Sequence, residues 1–179
     1  YFELIKDAVQ YVIRKQKPTG EWYYSHGSNS EKEKKQVDFH QGYILDCLRS
    51  INKLTEGKIK RLVKPAVQAG LEFYYSKQFN DRGKGLFRYP KKYPTEIHNQ
   101  AQGIITFSKF ADYNPKYKKM AESILSWTIQ KMQDAKGFFY YQKYRFLTNK
   151  ILYLNPELSD ISLAITEYLL CYWYFLHPE

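Results

Sequence analysis

From Val37 to Ile51 the chain reads VDFHQGYILDCLRSI: an acid, Asp38, two residues before His40, then a long segment with helical apolar spacing. An acid in that place is a helix cap, a metal ligand or part of an active site. The choice turns on whether the stretch stands alone, and it does not. Asp38-Phe39-His40, Glu96-Ile97-His98 and Asp160-Ile161-Ser162 each set an acid at the start of a predicted helix, with a polar side chain two residues on. A shared signature precedes each: glycine, any residue, aromatic, any residue, tyrosine. Its instances are Gly20-Glu21-Trp22-Tyr23-Tyr24, Gly85-Leu86-Phe87-Arg88-Tyr89 and Gly137-Phe138-Phe139-Tyr140-Tyr141. Three coincidences of this kind indicate a degenerate repeat with loops of variable length.

Apolar periodicity predicts six helices, at about Phe2–Lys15, Phe39–Leu54, Arg61–Lys77, Glu96–Ala111, Lys116–Met132 and Ile161–Phe175. No convincing strand ladder competes with them, so the expected class is all-α. Short turns join the second helix to the third and the fourth to the fifth, the latter with Pro115 near a helix start. The other connections are long, aromatic and glycine-bearing. The repeat unit is then an outer helix, an aromatic loop and an acid-headed inner helix. Stacked hairpins of this kind bring every long loop to one rim. A single domain over 1–179 is expected, with hairpin copies at about 1–56, 57–113 and 114–179.

Composition narrows the partners. The 179 residues carry 28 Lys and Arg against 18 Asp and Glu, a net charge of +10 that favours an anionic partner. The excess is spread along the chain with no tight basic cluster, so nucleic acid is not the expected partner. Aromatic content is high, with 18 Tyr, 11 Phe and 3 Trp, and tyrosine suits half-wet clefts. Cys47 and Cys171 fall inside apolar helical patterns and read as small buried residues rather than a disulfide. The most apolar stretch, ISLAITEYLLCYWYFL, is interrupted by Glu167 and is shorter than the ~20 residues of a membrane span. With no signal peptide in view, a cytoplasmic location is expected. The start at Tyr1, already in helical pattern, suggests a piece of a longer chain.

Two stretches, VDFHQGYILDCLRSI and GFFYYQKYRFLTNKILYL, together with the tandem pattern, resemble the α/α toroid, or six-hairpin, carbohydrate-active proteins. They are most similar to toroid proteins of polysaccharide biosynthesis, distantly similar to the C-terminal helical domain of glucuronyl carbon-five epimerases. The resemblance covers essentially the whole chain. It implies antiparallel hairpins forming about half of a toroid, completed by the rest of a larger ring or by a second copy, since half a ring leaves apolar edges uncovered. The chain departs from the pattern at Pro156-Glu157-Leu158-Ser159-Asp160, where an Arg-Trp pair commonly opens the last inner helix.

The resemblance further implies an oligosaccharide or polysaccharide partner of acidic, uronate-containing type. Trp22, Tyr24, Phe87, Tyr89, Tyr140 and Tyr141 are then candidate stacking platforms, and Arg88, Lys143, Arg145 and Lys150 candidate partners for uronate carboxylates. Whether the chain is an enzyme stays open. If it is, Asp38, His40, Glu96 and His98 are the candidate catalytic groups for epimerase, lyase or hydrolase chemistry, with Tyr89 and Tyr144 as further acid–base candidates. The competing reading makes the acids helix caps, worth ~1 kcal/mol each, with Ser159 sharing the role at Asp160. A non-catalytic helical scaffold for protein partners is the alternative function. No metal or other cofactor is expected, because acid-x-His on one helix does not place both side chains on one face.

Overall fold

The computed structural model describes residues 2–25, 27, 32–144 and 150–151, and over them the chain is mostly helical. It divides into two compact units, Tyr1–Lys77 and Gln78–Glu179. No described helix is long and apolar enough to cross a membrane.

The first unit holds α1 (Phe2–Lys15), α2 (His40–Leu54) and α3 (Gly57–Phe73). Both α1 and α2 lie against α3, and Val9, Leu45, Leu48, Val63, Val67 and Leu71 form its buried core. Helix α3 begins four residues before the predicted Arg61 and continues beyond Phe73 as a π-helical turn, Tyr74–Gln78. Pro65 lies inside α3, where it can donate no bond to the Arg61 carbonyl. Cys47, expected to be buried, is exposed. It sits two residues after the fully buried Leu45, which turns it to the far side of α2.

In the second unit α4 (Ile97–Lys109) packs on α5 (Pro115–Met132). Helix α5 starts as its sequence dictates. Pro115 occupies the first helical position, and the side chain of Asn114 accepts a bond from the Lys116 amide at 2.9 Å. Ile104, Phe107, Phe110, Ile124 and Met132 are buried outright, and Phe107 stacks on Tyr117 with ring centroids 5.9 Å apart. The expectation of no strands is corrected here. Three two-residue strands, β1 (Thr95–Glu96), β2 (Gln142–Lys143) and β3 (Lys150–Ile151), form an antiparallel ladder in that order. Thr95 pairs with Lys143, and Gln142 with Ile151. Two residues are too few to show the alternation by which strands are recognised.

One turn recurs three times. The backbone N–H of Lys17 donates to the Glu21 carbonyl, Asn80 to Lys84 and Asp134 to Phe138, at 2.8, 3.0 and 2.8 Å. In each, the glycine three residues along donates back to the first carbonyl at 2.9 Å: Gly20 to Lys17, Gly83 to Asn80, Gly137 to Asp134. Those glycines have φ of 105°, 81° and 95°, a region that side chains with a Cβ rarely enter. The repeat is therefore real in the backbone, but its second glycine is Gly83 and not Gly85. Just before the turn, Gln16 and Gln133 each donate Nε2 to the turn glycine's carbonyl, at 2.8 and 2.9 Å.

The expected sixth helix, Ile161–Phe175, lies outside the described residues, with Asp160, Ser162 and Cys171.

Candidate functional site

Each acid-x-His pair closes on itself. Asp38 Oδ1 lies 2.6 Å from His40 Nδ1, and Glu96 Oε1 lies 3.1 Å from His98 Nδ1. The expectation that the two side chains diverge is overturned, because the acid is not part of the helix. Asp38 precedes the α2 start, and Glu96 is extended at φ −115°, ψ 136°. At Glu96 the 100° rotation per residue of a helix therefore does not apply.

The capping expectation is changed as well. Asp38 Oδ1 also accepts from the His40 amide at 3.2 Å, at the first residue of α2, so this carboxylate caps the helix and orients the ring together. Its Oδ2 accepts from Gln36 Nε2 at 2.5 Å. Glu96 occupies the N-cap position of α4, yet its side chain accepts no capping bond there and turns to His98 instead.

Both acids are buried while both rings reach the surface. In a neutral ring, a carboxylate on Nδ1 favours the tautomer with the proton there and the Nε2 lone pair facing outward. Among the described residues no group bonds His40 Nε2. The His40 ring stacks on Phe39 at 4.3 Å and meets the edges of Tyr24 and Tyr43 at 4.9 and 5.9 Å. The His98 ring meets Tyr141, from the third aromatic loop, at 5.8 Å.

His40 lines an open cleft of about 390 Å³ with Tyr23, Tyr24, Gln36, Gln41, Tyr43 and Ile44, the edge of Trp22 completing the wall. Tyr24 and Tyr43 are 50% and 48% exposed, so both side chains are half open to solvent. Partial burial, and then the Asp46 and Asp38 carboxylates, push the Tyr43 phenol above its ordinary range and keep it a proton donor. Lys34 Nζ sits 4.2 Å over the Tyr24 ring, and Lys17 Nζ 4.2 Å over Tyr23, where it also pairs with Glu33 at 2.7 Å. Cations therefore rim the tyrosine walls.

Several expected platforms have other work. Trp22 is only 2% exposed, too buried to stack on a ligand. Its Nε1 donates to the Val12 carbonyl at 2.8 Å, and its ring lies where a Cβ on Gly70 would come within 2.5 Å. The indole is thus a plug between loop and α3. Tyr140 is buried too, its hydroxyl bonded to Asp134. Lys143 donates to the Lys131 carbonyl at 3.1 Å, at the end of α5, and Tyr144 donates to Gln142 at 3.0 Å. Arg88 covers Phe87 at 4.7 Å, and Tyr89 is partly exposed. Arg145 and the side chain of Lys150 lie outside the described residues. Asp38 and Glu96, read as a possible pair, fall in different units, and within each unit the acid is engaged by its own histidine.

Sequence reasoning missed the glutamines that hold the aromatic loops. Gln41 Oε1 accepts from the Trp22 amide at 3.0 Å, and its Nε2 donates to the Trp22 carbonyl at 2.5 Å. In the second unit Gln100 Oε1 accepts from the Gly85 amide at 2.6 Å, and its Nε2 donates to the Gly83 carbonyl at 3.0 Å. Trp22 and Gly85 each follow their turn glycine by two residues, so the two clamps act at equivalent points. The available signal was a glutamine one or two residues after each acid-x-His: Gln41 after His40, Gln100 after His98. Among the described residues no cluster of three or more metal-ligating side chains occurs. No family model, curated protein or solved structure matches this chain.

Proposed function

We propose that this chain is part of an α/α toroid that binds an acidic, uronate-containing glycan, and that the His40 cleft is a saccharide subsite. The observation that carries this reading is the Asp38–His40 pair set between two half-exposed tyrosines. Stacking rings and one oriented polar group are what a saccharide site needs: ring faces for the sugar C–H surface, and Nε2 to accept from a hydroxyl. Lys34 at the lip supplies charge for a uronate carboxylate. The helical hairpins and the loop turn repeated three times support the toroid part of the reading.

The same geometry suits proton transfer. His40 Nε2 can take the proton on the carbon beside a uronate carboxylate, leaving the electron pair to delocalise into that carboxylate, the step that begins epimerisation or elimination. Asp38 then faces the imidazolium it stabilises.

The test is titration of the chain with uronate tetrasaccharides (galacturonate, glucuronate and mannuronate), followed by the imidazole ¹⁵N resonances of His40. His40→Ala should weaken binding about tenfold, the loss of one hydrogen bond of ~1.5 kcal/mol to a ligand. Asp38→Asn should shift the His40 tautomer away from Nδ1–H. Binding by both variants at wild-type strength would sink the assignment.

A further inference from the structure

A second surface, on α5, carries chemistry that no part of the His40 site uses. An open groove of about 700 Å³ runs along this helix, and its size falls within the roughly 300–1,000 Å³ of small-ligand sites. Lys119, Trp127 and Lys131 all line it from α5. Lys119 and Lys131 are twelve residues apart, about 18 Å along the axis. Arg82 reaches the same groove from the second aromatic-loop turn, whose Gly83 is seated against the Ser123 backbone.

Among the described residues no carboxylate pairs with Arg82, Lys119 or Lys131 through its side chain. Three unpaired cations face one acid, Glu122, and the half-buried Trp127 indole has no ring partner among them. Gln130, which donates to Ser126 at 3.0 Å, adds amide and hydroxyl groups beside the indole.

We infer that this groove is a second binding site for an acidic oligosaccharide. The indole face stacks on a sugar ring while Arg82, Lys119 and Lys131 meet carboxylates along the chain. Charge complementarity and the single central aromatic favour this occupant. A nucleic acid is matched by denser basic surfaces than three cations offset by an acid. A uronate chain presents, beside its carboxylates, the sugar C–H faces an indole accepts. The inference rests on the acidic-glycan reading above, extended to a different part of the molecule.

The test follows the Trp127 indole N–H resonance, assigned with Trp127→Phe, during titration of the full chain with the same uronate tetrasaccharides and their carboxyl-reduced counterparts. The resonance should move with the uronates and not with the neutral sugars. The variants Arg82→Gln and Lys131→Gln alter exposed side chains, so folding is not at stake. Each should weaken this response about tenfold while leaving the His40 response unchanged. A response at His40 with none at Trp127 overturns the groove and leaves the proposed function standing. A response at Trp127 with none at His40 does the reverse. Silence at both removes both, and tighter binding of an acidic peptide or an oligonucleotide at Trp127 overturns the ligand class.

Discussion

Replacing Gln41 by leucine isolates the clamp on the first aromatic loop. The residue is 2% exposed and makes two bonds to one residue, from the Trp22 amide and to the Trp22 carbonyl. Leucine keeps most of the volume, so the cavity contribution is small. Both backbone groups lose their partner at a residue with almost no access to water. Each orphaned group costs about 1–3 kcal/mol, so the substitution should destabilise the first unit by roughly 2–6 kcal/mol. Urea unfolding followed by tryptophan fluorescence should show a lower midpoint at unchanged slope. Hydrogen exchange at the Trp22 amide should lose its protection, since Gln41 Oε1 is that amide's acceptor. Tyr24, two residues further on, should then lose its edge contact with His40. A cost under about 0.5 kcal/mol with Trp22 still protected would refute the reasoning. It would mean that the indole bond to Val12 and the seat on Gly70 hold the loop by themselves.

Two further outcomes follow from the same structure. Gly83→Ala and Gly137→Ala both force a Cβ into a positive-φ turn, at about 1–2 kcal/mol, but only at Gly83 does the new atom meet the Ser123 backbone. Gly83→Ala should therefore cost roughly 1–3 kcal/mol more than Gly137→Ala in denaturant melts, and equal costs would be evidence against the turn register. The Tyr74 phenol is pushed well above its ordinary 10.0, first by burial and then by Asp46, Asp38 and Tyr43. In the unfolded chain it ionises near pH 10 while the folded state still holds the proton, so stability present below pH 10 is lost as pH rises beyond it. Above pH 10 the wild-type midpoint should fall relative to that of Tyr74→Phe, which has no phenol to ionise, and a difference that stays constant across pH 10 would exclude this residue as the cause.

Much of the helical layout was legible because it depends on local spacing. The predicted bounds of α1 match, and those of α2 and α5 differ by one residue at one end, since apolar periodicity and the Asn114-Pro115 start are properties of adjacent residues. The early start of α3 at Gly57 was not, because its first turn carries only Ile59 as a buried side chain. The acid-x-His repeat was seen as a pattern, but not the contact within it. That contact forms where each acid stands just outside its helix, a placement set by where the helix begins.

By itself, then, the sequence determined the helices, the recurrence of acid, histidine and glycine-aromatic loop, and the positive charge without a basic cluster. Those follow from side-chain volume, charge and backbone preference within a few residues. Only the tertiary structure decided which aromatics face outward and which glycine makes the turn. Trp22 is buried because Gly70, on α3, leaves room for its ring, and Tyr24 stays in the open cleft because Gln41 holds the loop two residues earlier. Gly83 rather than Gly85 takes the turn because the chain there must pass against Ser123 of α5. These are close approaches between residues far apart in the chain, and no local pattern encodes them.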